Sequence, residues 1–418
     1  MFSDTRKRIL VIGLVWPEPT SSAAGWRMLQ LLGAFKQEGY EIYFLSSAQQ
    51  TEHSFDLTTE GVHVYTIQIN DSAIDSLLKE IDPSIVLFDR FITEEQFGWR
   101  VMENLPNALR ILDTEDLHSL RHLRGEAISE VELQSKPEAW NTTYALRELS
   151  SILRSDLSLM ISKKEMDLLT KTLRISESLL HEIPFMEAPL TREQLTRTLS
   201  YHQRKHFVFI GNYLHKPNKE TIKVLVENIW PKIRAKDSSL ELHIYGAYMQ
   251  PNHTHYHNPK KGIFVYGRAE NARVTLERYR VLLAPIPFGA GIKGKIIDSI
   301  ASGTVPLTSP IGGEGIFNRD NNSFCISLLE NFPTQALELY KNQDLWDQIR
   351  EDNRLLFNDK FNQQTHTSQL LDRIERIRKN LNTHRSSNIM GSILQLNQMR
   401  ATKYMSLWIE EKNKTKHE

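Results

Sequence analysis

Cysteine is nearly absent: Cys325 is the only one in 418 residues. An intramolecular disulfide and any multi-cysteine metal site are therefore excluded. Between Phe324 and Ile326 the thiol is expected in the core, because free cysteine behaves as a small hydrophobe. Net charge is absent too, with Lys plus Arg and Asp plus Glu at 51 each. No global field then favours nucleic acid or an acidic lipid surface, although a local basic patch is not excluded. No apolar stretch approaches the ~20 residues of a membrane-spanning helix. The run from Ile9 to Val15 has only strand length. Pro17 and Pro19 end it without a small-residue cleavage pattern, so no signal peptide is read. These absences lead us to expect a soluble, cytoplasmic protein with no nucleic-acid partner. Asn141-Thr142-Thr143 fits the glycosylation pattern but lacks a secretory context. His253, His255 and His257 alternate in a loop-like stretch, and no carboxylate or cysteine completes a metal set, so no metal site is expected.

What is present is an alternation of short β-rich runs and amphipathic segments, in a chain too long for one compact core. Strands are expected at 8–14, 41–46, 62–67, 85–88, 109–112 and 157–161. Helices are expected at 25–38, 73–81, 93–103, 117–125, 139–153 and 163–172. Ser162 reads as an N-cap, with Glu165 at the capping-box position. Periodicity fades between Ile183 and His202, around Pro184 and Pro189, and the interdomain linker is placed there. A second alternating set follows. Strands are expected at 207–210, 240–245, 263–266, 281–285, 305–308 and 323–326, and helices at 218–234, 271–279, 294–302, 334–341 and 344–357. The pattern predicts two doubly wound parallel α/β domains, 1–190 and 203–363, with ligand at the carboxyl ends of the strands between them. Residues 364–418 form a helical extension expected to cross back to the first domain. Its last helix, 388–412, carries Ile389, Ile393, Leu396, Met399, Met405, Trp408 and Ile409 near helical period. The stripe is expected to face a core. The alternative is a peripheral membrane-surface helix, since Arg400, Lys403, Lys412 and Lys414 lie nearby.

The stretch from Pro285 to Gly315 carries the chemistry. It reads strand, glycine-rich loop, helix, strand, glycine-rich loop. Gly289, Gly291 and Gly294 remove side chains where a backbone must approach something closely. Lys293 and Lys295 stand at a helix start. Positive charge there opposes the helix dipole, which itself attracts anions, so the pair calls for an anionic ligand. Asp298 lies one turn on, near the same face as Lys295. Together these groups suit a diphosphate and a sugar hydroxyl. Plainer readings exist for each: solvated lysines, an Asp298–Lys295 surface pair, and Asp113, Glu115, Asp116 and Glu314 as helix-start acids. His118 and Arg121 have a plain reading as surface residues.

The second half of the chain resembles the nucleotide-sugar-binding domain of glycosyltransferase family 4, retaining enzymes of the GT-B fold. The resemblance rests on the run from Phe207 to Asn218, on Leu242–Gly246, on Val265–Gly267 and on Phe288–Glu314, about 120 residues in order. The first half is looser, with Pro19–Arg27 and Ile111–Arg121 similar to acceptor-domain segments. The resemblance implies that Gly211 opens the donor pocket. Lys293 and Lys295, with loop N–H groups from Gly289, Gly291 and Ile292 to Gly294, would hold the diphosphate. Asp298 would bind the ribose hydroxyls, and Gly267 and Arg268 would face the base. The loop ending at Gly25 would approach the transferred sugar, and His118 would orient it. The family pattern is broken twice. Ala290 stands where the first acid of a paired motif is usual. Asn212 stands where an arginine is usual, leaving Lys216 or the two later lysines to carry that charge.

The function this implies is metal-independent, cofactor-free sugar transfer, with retention, from a nucleotide diphosphate-sugar to a glycan, lipid-linked or protein acceptor. The alternatives are a nonhydrolysing sugar-nucleotide epimerase and an inactive GT-B scaffold. Ala290 favours the scaffold, whereas the intact lysine–glycine loop opposes it.

Overall fold

A computed structural model describes residues 7–317 and 323–414. The first lobe is a seven-stranded sheet of order β3-β2-β1-β4-β5-β6-β7. Its strands are β1 (Arg8–Gly13), β2 (Glu41–Ser46), β3 (His63–Thr66), β4 (Ile85–Asp89), β5 (Leu109–Asp113), β6 (Leu157–Met160) and β7 (Leu180–Glu182). The second lobe is a five-stranded sheet of order β10-β9-β8-β11-β12. It comprises β8 (Lys205–Ile210), β9 (Leu242–Tyr245), β10 (Ile263–Val265), β11 (Tyr279–Ala284) and β12 (Val305–Thr308). Every pairing is parallel. Parallel strands are covered by helices on both faces, so their sequences are continuous apolar runs and do not alternate. Ile9-Leu10-Val11-Ile12 and Val281-Leu282-Leu283-Ala284 are buried throughout for this reason. Strand order reverses beside β1 in the first sheet and beside β8 in the second. These are the crevices where open α/β sheets bind ligands.

Several elements differ from the sequence reading. β7 was not expected; its three residues are too few to show a period. The segment expected as a strand at 323–326 is a 3-10 turn, Ser323–Cys325, with one bridge from Ile326 to Thr308. Cys325 is buried while Phe324 is exposed, so no continuous inward run supports a ladder. Burial pushes the Cys325 thiol up to about 12, as befits a core side chain. The helix expected at 218–234 is three pieces: Lys216–Val224, a π-turn Leu225–Ile229, and Trp230–Lys236. Pro231 lacks an N–H, and the wide turn absorbs the missing bond. Ser162 caps its helix by accepting from the Glu165 N–H. Glu165 does not complete the capping box; its carboxylate is engaged elsewhere.

The chain returns to the first lobe through Gln363–Lys379, Leu381–Ser387 and Ile389–Lys414. Leu370, Ile374 and Ile377 join the first-lobe core beside Ile9, Val11 and Ile85. The last helix lies on the helices Arg90–Asn104 and Thr143–Arg154. Of the expected stripe only Met399 is fully buried there. Gly391, Met399 and Ser406 are buried. Ile389, Ile393, Leu396, Met405 and Trp408 are exposed. Side-chain amides secure the seat: Asn388 donates to the Leu153 carbonyl and Gln395 to that of Arg154. The periodicity was read correctly as helical, but most of the stripe faces outward. No described helix is long and apolar enough to cross a membrane.

Candidate functional site

A cavity of about 660 Å³ opens between the lobes, at the carboxyl ends of both sheets. Its second-lobe wall begins at β8. Gly211 follows that strand, and a Cβ there would fall 2.8 Å from the Asn218 amide and 2.9 Å from Lys295 Nζ. Glycine therefore makes room for the lysine. Lys295 Nζ donates to Asn218 Oδ1 at 2.6 Å and lies 4.4 Å from the centre of the Phe209 ring. Lys293 Nζ donates to the Gly291 carbonyl at 2.6 Å. Burial pulls Lys293 down to about 8, against the attraction of Glu314. Burial and the neighbouring Lys293 pull Lys295 down to about 7. Neither lysine has an acidic partner within ion-pair distance among the described residues. Both stand at the start of the helix Gly294–Ala301, which adds its own unsatisfied N–H groups. The wall is built to receive negative charge.

Asp298, one turn along, does not pair with Lys295. Its Oδ1 accepts from Arg273 Nε at 2.8 Å, and Arg273 also donates to Glu187 Oε1 at 2.9 Å. Burial raises the Asp298 pKa, and Arg273 opposes the rise. Trp26 and Gln30 of the first lobe donate to the same Glu187 oxygen. This network ties Asp298 to both lobes.

The first-lobe wall rises from the ends of β4 and β5. Fully buried Arg27 donates to Asp113 Oδ1 at 3.0 Å and to the Ile183 carbonyl at 2.6 Å. Asp116 is gripped by Arg121 and lies 3.3 Å from His118 Nε2. Burial would raise Asp116, but Arg121 and His118 bring it down to about 2. Burial brings His118 down to about 4, against the pull of Asp116, so the imidazole is neutral at pH 7. Glu148 fixes the start of the His118 helix by accepting from the His118 and Ser119 N–H groups.

Of the residues singled out in the sequence, His118, Gly211, Asn212, Gly289, Ile292, Lys293, Gly294, Lys295 and Asp298 line this cavity. Five others do not. Gly25 lies inside a helix start, its N–H given to Ser22 Oγ, and a Cβ would fall 2.5 Å from the Glu18 backbone. Lys216 Nζ lies 5.8 Å from the centre of the Phe288 ring. The Gly267 carbonyl accepts from Gly246 N–H, and Arg268 crosses the gap to Ser21 and Thr20. Gly291 has a φ of +66° and gives its N–H to Glu165 Oε1 at 2.8 Å. Ala290, the position of the missing acid, lines the cavity.

Sequence reasoning missed Arg90, Arg273, Glu187 and His215, which also line the cavity. Arg90, Arg273 and Glu187 lie outside the motif segments, whereas His215 lies in the Phe207–Asn218 run. Arg90 has a φ of +69°, a backbone state invisible in the sequence. The lobes are further clasped by Arg124, which donates to the Gly289 carbonyl and bidentately to Glu314.

Two facing doubly wound lobes, with helices returning from the second to the first, define the GT-B architecture. Residues 204–342 match the family model for glycosyl transferases group 1. The match spans about a third of the chain and includes the segment bearing the lysine wall. Solved structures agree in fold across nearly the whole length. The sucrose-phosphate synthase of Thermosynechococcus elongatus superposes with a TM-score of 0.63 at 14% identity, over 89% of this chain and 99% of that one. A glycosyltransferase of Rickettsia africae gives 0.62 at 14%, over 90% and 100%. Anabaena HepE, in complex with UDP and glucose, gives 0.63 at 10%, over 88% and 100%. At these identities the likeness establishes the fold. No curated protein matches the chain.

Proposed function

We propose that the protein is a retaining glycosyltransferase. It moves a sugar from a nucleotide diphosphate-sugar to a glycan, lipid-linked or protein acceptor, without a metal ion. Residues 203–363 bind the donor and residues 1–190 the acceptor. The observation that carries this reading is the convergence of Lys293 and Lys295 on one helix start inside the interlobe cavity. In sugar transfer the acceptor oxygen bonds to the anomeric carbon while the bond from that carbon to the phosphate oxygen breaks. The leaving diphosphate gains charge as this happens. Fixed ammonium groups and N–H dipoles aimed at that charge lower the barrier, which is the service a metal gives in other transferases. The departing phosphate oxygen takes the acceptor's proton. Asp298 supports the ribose, with Arg273 holding its carboxylate in place. Neutral His118 offers a hydrogen bond to the transferred sugar. HepE, of the same fold, holds UDP and glucose, which makes uridine diphosphate the first nucleotide to test.

Nucleotide release from UDP- and GDP-sugars, with and without sugar acceptors, tests the reading. Release accompanied by a new glycosidic bond is the expected result. An epimerised sugar formed without acceptor would replace it with the epimerase. No nucleotide binding, read as no rise in Tm, would leave only a scaffold.

A further inference from the structure

We propose that Arg90 and Glu115 form the acceptor subsite of the cleft, and that it takes neighbouring hydroxyls of an uncharged sugar. The inference rests on the transferase reading and names the acceptor class for it.

β4 and β5 pair in register, with Asp89 beside Asp113. Arg90 follows the first strand by one residue and Glu115 the second by two, so both stand at the same sheet edge. Both line the cavity. Both hold left-handed backbone, at φ +69° and +62°, a state that costs a non-glycine residue about 1 kcal/mol or more and that clusters at functional sites. Glu115 is 8% exposed, and its Oε1 is buried without a hydrogen-bond partner. Arg90 meets Asp89 through Nε at 3.4 Å. Its two terminal nitrogens make no hydrogen bond to any described residue. The two side chains interact electrostatically without forming an ion pair. A guanidinium with free donors and a carboxyl with a free acceptor thus face one space.

That combination fits a pair of hydroxyls. Arg90 donates an N–H to one hydroxyl oxygen, and Glu115 Oε1 accepts the O–H of its neighbour. An anionic acceptor suits it poorly. Asp89 and Asp113 lie behind it, each with one buried oxygen that accepts no hydrogen bond, and Arg27 is already committed to Asp113. Asp116 cancels Arg121. This wall therefore has no spare positive charge, whereas the opposite wall has Lys293 and Lys295. Burial and the Asp113 carboxylate raise the Glu115 pKa, a direction that agrees with a hydroxyl ligand.

Saturation-transfer NMR with the full chain and saturating UDP or GDP tests the proposal. The probes are the methyl glycosides of glucose, galactose, mannose and N-acetylglucosamine, with methyl glucuronoside as the anionic counterpart. At least one neutral glycoside should bind about tenfold more tightly than the uronate. Glu115→Ala should weaken that glycoside about tenfold, the effect of losing a buried hydrogen bond, while Glu115→Gln stays within about threefold because it imitates the neutral acid. The nucleotide-induced rise in Tm should be unchanged in both variants. No rise in Tm with either nucleotide defeats the transferase reading itself. A nucleotide that binds, with neutral glycosides that do not or a uronate that binds equally well, overturns the subsite alone. The wild-type comparison decides this even if a variant fails to fold.

Discussion

Glu165 of the first lobe accepts the backbone N–H of Gly291 in the second lobe's glycine-rich loop, at 2.8 Å. The same oxygen accepts from Leu117 N–H at 3.0 Å. One carboxylate therefore joins that loop to the residue that starts the His118 helix. It also removes the Gly291 N–H from the donors free to meet a phosphate. Burial, and then Asp116, raise Glu165 to about 7. Its folded pKa exceeds its unfolded value, so the native state binds the extra proton between about pH 4.5 and 7. Its contribution to stability is present below that window and falls as pH rises through it. Glu165→Gln keeps one acceptor oxygen and should flatten this part of the Tm-against-pH curve. Glu165→Ala should cost about 1–3 kcal/mol in urea unfolding by orphaning two N–H groups. Identical pH profiles for wild type and the glutamine variant would remove Glu165 from this role.

Lys295→Ala should weaken UDP binding about 10–100-fold, the range for a charge-assisted hydrogen bond, with an unchanged circular-dichroism spectrum. Removing a partly buried cation leaves Asn218 free to turn toward water in the cleft, so the fold should not suffer. Wild-type affinity measured by calorimetry would dismiss the phosphate site.

The pH dependence of nucleotide binding follows from the same lysine. With Lys295 near 7 in the unliganded protein, the ammonium is mostly formed at pH 6.5 and mostly lost by pH 9. Affinity for UDP should fall by about tenfold per pH unit above the free pKa, until the bound-state pKa is reached. Binding at pH 8 should take up a proton, detectable as a buffer-dependent calorimetric enthalpy. Lys295→Arg, always charged, should remove the share of the uptake that Lys295 carries and leave that of Lys293, which stands at about 8.

Asp298→Ala should raise the donor KM about tenfold with a smaller effect on kcat, because a ribose contact is made equally in ground and transition states. Arg273→Ala should reproduce part of that defect, since it releases Asp298 and Glu187 together. A kcat loss larger than the KM change in the Asp298 variant would move this acid away from the ribose.

The last helix offers a stability contrast. Met399 is 5% exposed and meets the helix containing Gly98, whose Cβ position is 3.4 Å from its Cε. Met399→Ala should cost about 2 kcal/mol or more, as buried methionines do. Leu396→Ser, on the exposed side, should change stability by less than about 0.5 kcal/mol. Equal costs in chemical denaturation would mean that the exposed stripe is covered in solution.

Much of the fold was legible because parallel strands announce themselves as short apolar runs. Glu41–Ser46, Ala73–Ile81 and Val305–Thr308 occupy the segments expected for them. Helical period revealed the last helix but not its facing, because apolar spacing does not say whether the stripe packs or lies open. Gly391 and Ser406 mark its docking side instead, where small residues let backbones approach. In the site, Lys293, Lys295 and Asp298 were visible because glycines and charges crowd one helix start. Arg90 gave no such signal, and Glu115 was legible only as a helix-start acid beside Asp113 and Asp116. Their distinction is a left-handed backbone at two strand ends that become neighbours only when β4 and β5 pair. Arg273 and Glu187 were hidden for a related reason: they meet across 86 residues, and neither has a local pattern.

The chain passes between the lobes twice, once after β7 and once before Gln363. The two passages run side by side, joined where Glu187 N–H reaches the Phe361 carbonyl and Gln363 N–H reaches that of Glu187. Adjacent strands of this kind act as the spine of a book. Glu187 sits at that crossing and also holds Arg273, so one residue ties the passage between the lobes to the Asp298 side of the cavity.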